Sequence, residues 1–471
     1  MKKILTLLLS FMLIAGLAAC AGQPEPEATV GVDWDFFNER AKAFVTAAAN
    51  GDFDAAHAML DETMAGLADT DALQALWDEA ITATGAFVAI HDIENAEADG
   101  HYISGVIVRH EDSGYGWNIV FSGDGLIAGL FAGGAMPLPS DVENEQTAGE
   151  STQREGFTDY PIIIGEGTVF PLDGILSMPD GVTAPVPAVV IVHGSGPHDM
   201  DASMVGSPYR DIAEFLAANG IAVVRYDKRT YTHGMQMVQA FGGSATVWEE
   251  TIEDAIFAAE LLRADSRIDE NRVFMIGHSL GGLLAPRIHT SGGDFAGLIL
   301  LATSPRPVMS VILIEQLTES LISGYEAGQI DSETLTEQLA DMEALVELFA
   351  SIENMTDEEA KETLVFGASA YYIRDLESPT FAEHVSGVTI PIFVMHAGRD
   401  FQTPTDPDFY LFQEILAGRD NVTLKLYEDL NHSFMPSTAT SFVEHASEIM
   451  AGVGSVYAPA LQDIVGWINS W

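Results

Sequence analysis

Two patterns of apolar residues divide this chain. Up to about residue 135, apolar side chains recur first at helical spacing and then in short runs separated by turns. Beyond about residue 160, continuous runs rich in Val, Ile and Leu alternate with helical segments, which indicates a buried, mostly parallel sheet. The pattern therefore predicts a small α+β domain over 34–135, a linker over 136–158 and an α/β domain over 159–471.

The first domain is predicted to place helices before an antiparallel sheet. Helical spacing covers residues 34–49, 53–60 and 71–84. Turns rich in Gly and Asp separate the strand-like runs that follow, at 87–93, 101–110, 117–121 and 126–131. Because the histidines His91, His101 and His110 form no tight cluster, we expect them to be strand residues rather than metal ligands.

The second domain is predicted to be built on a parallel sheet. Its apolar runs lie at 188–192, 221–225, 273–276, 297–301, 390–395 and 422–427. Helical segments lie between them at 209–219, 247–264 and 280–289. Ahead of these, residues 169–178 are expected to form an antiparallel hairpin at the sheet edge, with its turn at Asp173 and Gly174.

Residues 306–386 interrupt that alternation. They contain no convincing strand but carry leucines at helical spacing, among them Leu313, Leu317 and Leu321. An insertion of this length is long for a plain connection. We interpret it as a helical cap over the carboxyl ends of the strands, where ligands bind in open α/β sheets; a peripheral packing element is the alternative.

The N-terminal residues have the pattern of a secretory signal. Lys2 and Lys3 precede an apolar run over 4–17, which is short for a membrane span, and small residues follow up to Cys20. The segment Leu-Ala-Ala-Cys at 17–20 resembles the lipobox of a bacterial lipoprotein. That resemblance implies a signal peptide over 1–19, lipid attachment at Cys20, a tether over 20–33 and an extracytoplasmic, membrane-anchored protein. An ordinary signal with an incidental cysteine is the alternative.

Cysteine content and net charge exclude some kinds of structural bond, metal site and binding partner. Cys20 is the only cysteine, which excludes structural disulfides within the chain and metal sites built from cysteine. The 70 acidic and 20 basic residues give a net charge of −50 at pH 7. Nucleic-acid binding requires cations that neutralise phosphates, so this charge argues against a nucleic-acid partner. The negative charge is typical of a strongly solvated surface that keeps a protein soluble, and it would also suit a saline habitat.

The residues Gly-His-Ser-Leu-Gly at 277–281 carry the clearest chemistry. A short apolar run of strand character precedes them and a helical segment follows. In a G-x-S-x-G turn between strand and helix, the glycines allow a sharp bend that raises the serine hydroxyl above the sheet edge. Ser279 is therefore the predicted nucleophile.

A serine nucleophile needs oxyanion donors and a base that an acid orients. The backbone N–H of Leu280 follows the nucleophile, and that of Ser195 lies in a glycine-rich turn after a strand; Gly196 is the alternative to Ser195. The acid is expected after the strand that ends near residue 395. Asp400 is the predicted residue there, with Asp406 and Asp408 as alternatives.

The base is expected after the following strand, and His432 lies in the polar loop there. Its rivals either lie at a strand end or fall in predicted helices or the cap; they are His396, His289, His384 and His445. With His432 the chain order is Ser, then Asp, then His, which is the order found in α/β-hydrolases.

Several longer motifs resemble bacterial serine esterases of the α/β-hydrolase superfamily. They are His193–Pro197, Pro208–Ala213, Arg225–Thr230, Gly277–Gly282, 398–402 and 430–434. The resemblance implies an α/β-hydrolase fold with a small N-terminal α+β domain of unsettled role. It further implies hydrolysis of carboxylic esters through an acyl-enzyme, with a small-molecule ester as substrate and without a metal or organic cofactor.

Other functions remain open at this stage. An acyl thioesterase or a serine peptidase would use the same triad. A non-catalytic surface-binding lipoprotein is the rival from another class, although no triad residue is missing. Asp227, Lys228 and Arg229 could bind a substrate carboxylate, but we expect them to brace loops at a strand end. The oligomeric state stays open.

Overall fold

A computed structural model describes residue 32 and residues 34–136 and 151–471, apart from short gaps at 62–63, 66–67, 99–100, 112, 327–329, 442–443, 446–447 and 449–453. The predicted signal peptide, Cys20, most of the tether and most of the linker lie outside the described residues. The chain forms two compact units, which are treated separately. One comprises Met1–Gln146, Met235–Ser244 and Met355–Tyr371, and the other comprises Thr147–Gly234, Ala245–Asn354 and Tyr372–Trp471.

The N-terminal part of the first unit packs helices against an antiparallel sheet. The helices are α1 (Trp34–Ala49), α2 (Phe53–His57) and α3 (Thr70–Thr84). The strands are β1 (Phe87–Ala98), β2 (His101–His110), β3 (Gly114–Phe121) and β4 (Ile127–Met136), in the spatial order β1-β2-β3-β4. Aromatic side chains join the two layers, because Phe37 of α1 stacks on Tyr102 and Trp77 of α3 stacks on Trp117. This is the predicted succession of helices and meander.

The remaining strands and helices follow in chain order. The strands are β5 (Thr152–Gln153), β6 (Phe157–Ile164), β7 (Leu172–Pro179), β8 (Val186–Val192), β9 (Ala222–Tyr226), β10 (Ile268–His278), β11 (Leu298–Leu301), β12 (Leu364–Val365), β13 (Ala368–Ser369), β14 (Ile392–Ala397) and β15 (Val422–Tyr427). The helices are α4 (Pro208–Ala218), α5 (Arg229–Thr232), α6 (Gly234–Phe241), α7 (Glu253–Ala264), α8 (Leu280–Ile288), α9 (Ile314–Glu326), α10 (Ser332–Ile352), α11 (Asp357–Glu362), α12 (Ala370–Glu377), α13 (Phe381–Ser386), α14 (Tyr410–Ile415) and α15 (Ala458–Ile468). Along the part of the chain that the structure describes, no helix combines the length and the apolar character needed to cross a bilayer.

The second unit is organised by one mixed sheet with the order β15-β14-β11-β10-β8-β9-β7-β6-β5. Strands β8, β9, β10, β11, β14 and β15 are parallel, and β7, β6 and β5 pair antiparallel at one edge. The chain runs from β8 to β9 on one side and then crosses to β10 on the other. This reversal makes the carboxyl ends of β8 and β10 the place where ligands bind in open α/β sheets.

The edge hairpin differs from its prediction. Asp173 and Gly174 do not form a turn but lie inside β7, where Leu172 pairs with Ile164 of β6. The connection between the two strands is at residues 165–171. The glycine marks a close strand approach instead, because a Cβ at position 174 would lie 2.9 Å from the carbonyl oxygen of Arg225.

The segment over 306–386 is mostly helical, but it also contains the short antiparallel pair β12 and β13, which the sequence did not predict. In the second unit it bonds to helix α8 and to the loop after β14. Arg287 at the end of α8 pairs with Asp375 of α12 at 2.8 Å. The amide of Gln316 in α9 donates to the carbonyl of Gln402 at 3.0 Å. The second of these contacts joins the insertion to the loop that follows the carboxyl end of β14.

Charged side chains are concentrated where β9 ends. Lys228 and Arg229 are almost fully buried, with 2% and 1% of their surface exposed. The guanidinium of Arg229 pairs with Asp254 and Glu253. The carboxylate of Asp227 accepts a hydrogen bond from the backbone N–H of Met200 at 2.7 Å. These contacts fasten the loop after β8 and the start of α7 to β9, as the bracing interpretation predicts.

Asp227 should make stability depend on pH. Burial, together with the nearby Asp199 and Asp173, raises the pKa of Asp227 to about 7. A raised carboxyl pKa contributes stability that is present below the ordinary value near 4 and is lost as the pH rises through about 7. Asp227→Asn stays neutral at every pH. The Tm of this variant minus the Tm of the wild type should therefore increase as the pH is raised from 4 to 8. A difference in Tm that is constant over this range would contradict the assignment.

Candidate active site

Ser279 occupies a strained turn between β10 and α8. Its backbone lies at φ 52° and ψ −116°, and its N–H donates to the carbonyl of Leu301 at 2.9 Å. The flanking glycines leave no room for side chains. A Cβ at Gly277 would lie 2.4 Å from the carbonyl oxygen of Gly281, and one at Gly281 would lie 2.5 Å from that of Val192. This geometry is that of a nucleophile elbow.

The register of β8 and β10 brings the glycine-rich loop beside Ser279. Gly277 pairs with Val192, so Ser279 and Gly194 each lie two residues beyond the paired strand ends. An added Cβ on Gly194 would be 3.1 Å from the Cβ of Ser279. Ser195, one of the two predicted oxyanion donors, follows Gly194 in this loop. The other predicted donor, the N–H of Leu280, belongs to the first turn of α8, where N–H groups have no acceptor within the helix.

His432 and Asp400 form a buried pair beside this loop. The Nδ1 of His432 lies 2.7 Å from the Oδ2 of Asp400. Asp400 also accepts hydrogen bonds from the N–H groups of Gln402 and Thr403 and from the hydroxyl of Thr403. Burial alone would raise the pKa of Asp400, but the His432 charge and these hydrogen bonds outweigh it and hold that pKa below its usual range. An ionised Asp400 fixes the Nδ1–H tautomer of His432 and leaves Nε2 as the basic nitrogen.

The structure separates the alternatives from the predicted pair. The side chain of Asp408 is bound to Arg306, and Asp406 is exposed, whereas Asp400 is buried against His432. His289 accepts a hydrogen bond from the N–H of Phe295. His396 is buried against Phe409. His445 approaches Asp400 on its other oxygen, and its Nε2 lies 4.0 Å from Oδ1, whereas Nδ1 of His432 lies at hydrogen-bond distance from Oδ2.

A second chain of buried side chains connects the glycine-rich loop to His432. The N–H of Gly194 donates to the hydroxyl of Tyr209 at 3.1 Å, and that hydroxyl donates to Nδ1 of His278 at 3.0 Å. The Nε2–H of His278 then donates to the carbonyl of His432 at 3.0 Å. Burial lowers the pKa of His278 to about 3, and the His432 charge adds to this effect. A neutral His278 can accept at one nitrogen and donate at the other, as this chain requires.

Sequence reasoning missed Tyr209, His278 and Thr403. Tyr209 and His278 lie inside quoted motifs, but spacing does not reveal that they bond each other. Thr403 is three residues beyond Asp400, where a hydroxyl can reach back to a carboxylate in a turn.

The strand order, the strained serine and the aligned loops define an α/β-hydrolase. The model of the family described as serine aminopeptidase, S33 (Hydrolase_4), matches residues 183–437. Esterase EstD of Thermotoga maritima is 31% identical over 348 residues, which cover 73% of this chain and 74% of that protein. The chain belongs to this family of α/β-hydrolases, as a serine esterase, and it is an enzyme of the hydrolase class.

Three further similarities concern the N-terminal region or overlap the region already matched. Residues 41–130 match a family described as a protein of unknown function (DUF3887). Est1E from Butyrivibrio proteoclasticus covers 66% of this chain with 99% of its own, at 17% identity and a TM-score of 0.40. The acylaminoacyl peptidase of Pyrococcus horikoshii covers 81% of this chain with 56% of its own, at 12% identity and a TM-score of 0.42.

The contact between Asp400 and His432 yields a test. Asp400→Asn should lower kcat by about 10³–10⁴-fold, because an amide neither stabilises the imidazolium nor selects the required tautomer. Steady-state hydrolysis of a p-nitrophenyl ester measures the loss. Asp408→Asn is the matched control, because it neutralises the acid that sequence reasoning left as an alternative. A larger loss of kcat in the Asp408 variant than in the Asp400 variant would contradict the assignment.

Proposed function

We propose that this enzyme hydrolyses carboxylic esters of small to medium acyl groups through Ser279, His432 and Asp400. His432 takes the proton of the Ser279 hydroxyl as its oxygen attacks the ester carbonyl, and Asp400 stabilises the imidazolium that forms. The N–H groups of Ser195 and Leu280 stabilise the oxyanion. His432 then protonates the leaving alcohol, and a water that it activates releases the acid from the acyl-enzyme.

The proposal rests on one combination of contacts. The register of β8 and β10 sets Gly194 against Ser279, and a hydrogen-bonded chain runs from the same Gly194 to the backbone of His432. This chain of hydrogen bonds connects the loop after β8 and the turn after β10 to the residue proposed as the base, which follows β15 at the sheet edge. Ester hydrolysis itself follows from membership of the family.

The cap supports small to medium acyl groups. Helix α9 carries buried leucines, Leu317 and Leu321, and it bonds through Gln316 to the loop that carries Asp400. From this bond to the loop of the acid we infer that α9 limits the length of the acyl chain that the site accepts. Long peptides would need an open groove at this position.

Hydrolysis of p-nitrophenyl esters with 2 to 12 acyl carbons tests the proposal on the full chain. We expect the highest kcat/KM between about four and eight carbons, and a loss of at least about 10³-fold in Ser279→Ala because the nucleophile is removed. Ser386→Ala, which removes an exposed serine hydroxyl at the end of α13, is the control and should retain full activity.

Thioester and aminoacyl-anilide substrates are measured in parallel. A kcat/KM for esters that exceeds the values for thioesters and for anilides supports the esterase assignment. Preference for anilides would instead favour a peptidase, the activity in the description of the matched family. An active Ser279→Ala variant would contradict the mechanism.

We also propose that the enzyme acts outside the cytoplasm as a lipoprotein. Support comes from the basic start, the apolar run and the position of Cys20, the only cysteine. In a bacterial host, the wild type should partition into the membrane fraction and incorporate labelled palmitate. Cys20→Ser should do neither, since it lacks the thiol that receives the lipid. Equal labelling of the two proteins would show that the lipobox is incidental.

A further inference from the structure

Lys228 is a buried cation that contacts the oxyanion loop. It lies two residues beyond β9 with 2% of its surface exposed. Its ammonium donates to the carbonyl of Gly194 at 2.8 Å and to the carboxylate of Glu250 at 2.6 Å. The other carboxylate oxygen of Glu250 accepts a hydrogen bond from Tyr372. A charge is costly to bury unless it is paired, so Glu250 keeps the ammonium in place beneath the loop.

The carbonyl that Lys228 holds belongs to the same peptide group as the N–H of Ser195. A trans peptide is planar, and its C=O and N–H point in opposite directions. Fixing the Gly194 oxygen on Lys228 therefore turns the Ser195 N–H away from Lys228. A reversed peptide would lose a charge-assisted hydrogen bond and present an N–H to an ammonium.

The peptide groups on either side are fixed as well. The N–H of Gly194, which belongs to the preceding peptide, donates to Tyr209 at 3.1 Å. The carbonyl of Ser195, which belongs to the following peptide, accepts a hydrogen bond from the Nε2–H of His198 at 2.8 Å. Three successive peptide groups are thus each held by a different side chain, and Lys228 holds the middle one.

We propose that Lys228 is a positioning residue that sets the orientation of the Ser195 N–H in the oxyanion hole. The inference rests on the proposed function, in which that N–H stabilises the oxyanion. Lys228 touches neither substrate nor Ser279; it acts through the peptide between Gly194 and Ser195. Removing it should therefore weaken binding of the transition state while leaving binding of the ground-state ester unchanged.

The neighbouring ion pair provides a matched control. Arg229 is as deeply buried as Lys228, and its guanidinium contacts Asp254 and Glu253 in the first turn of α7. Replacing that pair removes a buried interaction of similar kind at the next residue of the chain. Any loss of activity that comes only from reduced stability should then appear in both variants.

The experiment compares Lys228→Met/Glu250→Gln with Arg229→Met/Asp254→Asn in the full chain. The first double variant removes both charges, so that no carboxylate is left buried without its cation. The readouts are kcat and KM for p-nitrophenyl butyrate, the inhibition constant of a trifluoromethyl ketone that forms an oxyanion on the serine, and Tm.

We expect kcat of the Lys228 double variant to fall by about 10–100-fold, somewhat less than the loss of a whole oxyanion donor. KM should stay within about twofold, and the inhibition constant should rise by the same factor as kcat falls. The Arg229 double variant should lose Tm but keep kcat within about threefold. Lys228→Met alone, in which Glu250 retains its bond to Tyr372, should show the same loss of kcat and serves if the double variant does not fold.

Wild-type kcat in a folded Lys228 variant would overturn the inference, as would equal losses of kcat in the two double variants. A change confined to KM would also overturn it. Failure of the proposed function is a separate result, because it would appear as activity retained by Ser279→Ala in the same assay. An inactive Ser279→Ala together with an unaffected Lys228 variant would reject only the role of Lys228.

Discussion

The parallel register of β8 and β10 is the constraint on which the rest of the site depends. With Gly277 opposite Val192, the chain leaves both strands at the same level, and Ser279 and Gly194 become neighbours. The contact is so close that a Cβ at Gly281 would lie 2.5 Å from the Val192 oxygen. Any larger residue there would force α8 away from β8 and separate the nucleophile from the loop that is proposed to stabilise its oxyanion.

Buried polar groups then hold the parts that the register brings together. The acid is ionised in a buried position because hydrogen bonds and the His432 charge offset the cost of burial. The histidine before the nucleophile is kept neutral by the same burial, and so it can pass a hydrogen bond from Tyr209 to the carbonyl of His432. Burial disfavours the charged form of both groups, and only Asp400 has the hydrogen bonds and the neighbouring charge that offset it, so one buried region holds a charged orienting group and a neutral connecting group.

Much of this arrangement could be predicted from the sequence, because strand–helix periodicity and turn chemistry are local. The order Ser, then Asp, then His holds for Asp400, Asp406 and Asp408 alike. Asp400 was preferred because it lies in the turn directly after the strand, and the structure places it 2.7 Å from His432. The turn at Ser279 could be predicted from the G-x-S-x-G pattern, because the structure leaves room only for glycine at positions 277 and 281.

The interactions across the sheet could not be read in this way. Lys228 bonds to Gly194 across 34 positions, and Tyr209 bonds to His278 across 69, so both depend on which strands lie side by side. Gly174 was misread for a related reason: a glycine that permits close strand packing looks, in sequence, like one that permits a turn. Thr403 is local to Asp400, but a threonine in a loop carries no signal of its partner.

The central claim is that Ser279 is the nucleophile activated by the His432–Asp400 pair. The most direct measurement is labelling of the active enzyme with a fluorophosphonate, followed by mass spectrometry of the digested protein. We predict one adduct per chain, on Ser279, formed in step with loss of esterase activity. Loss of activity with the adduct on another residue, or full activity after complete labelling of Ser279, would contradict the account.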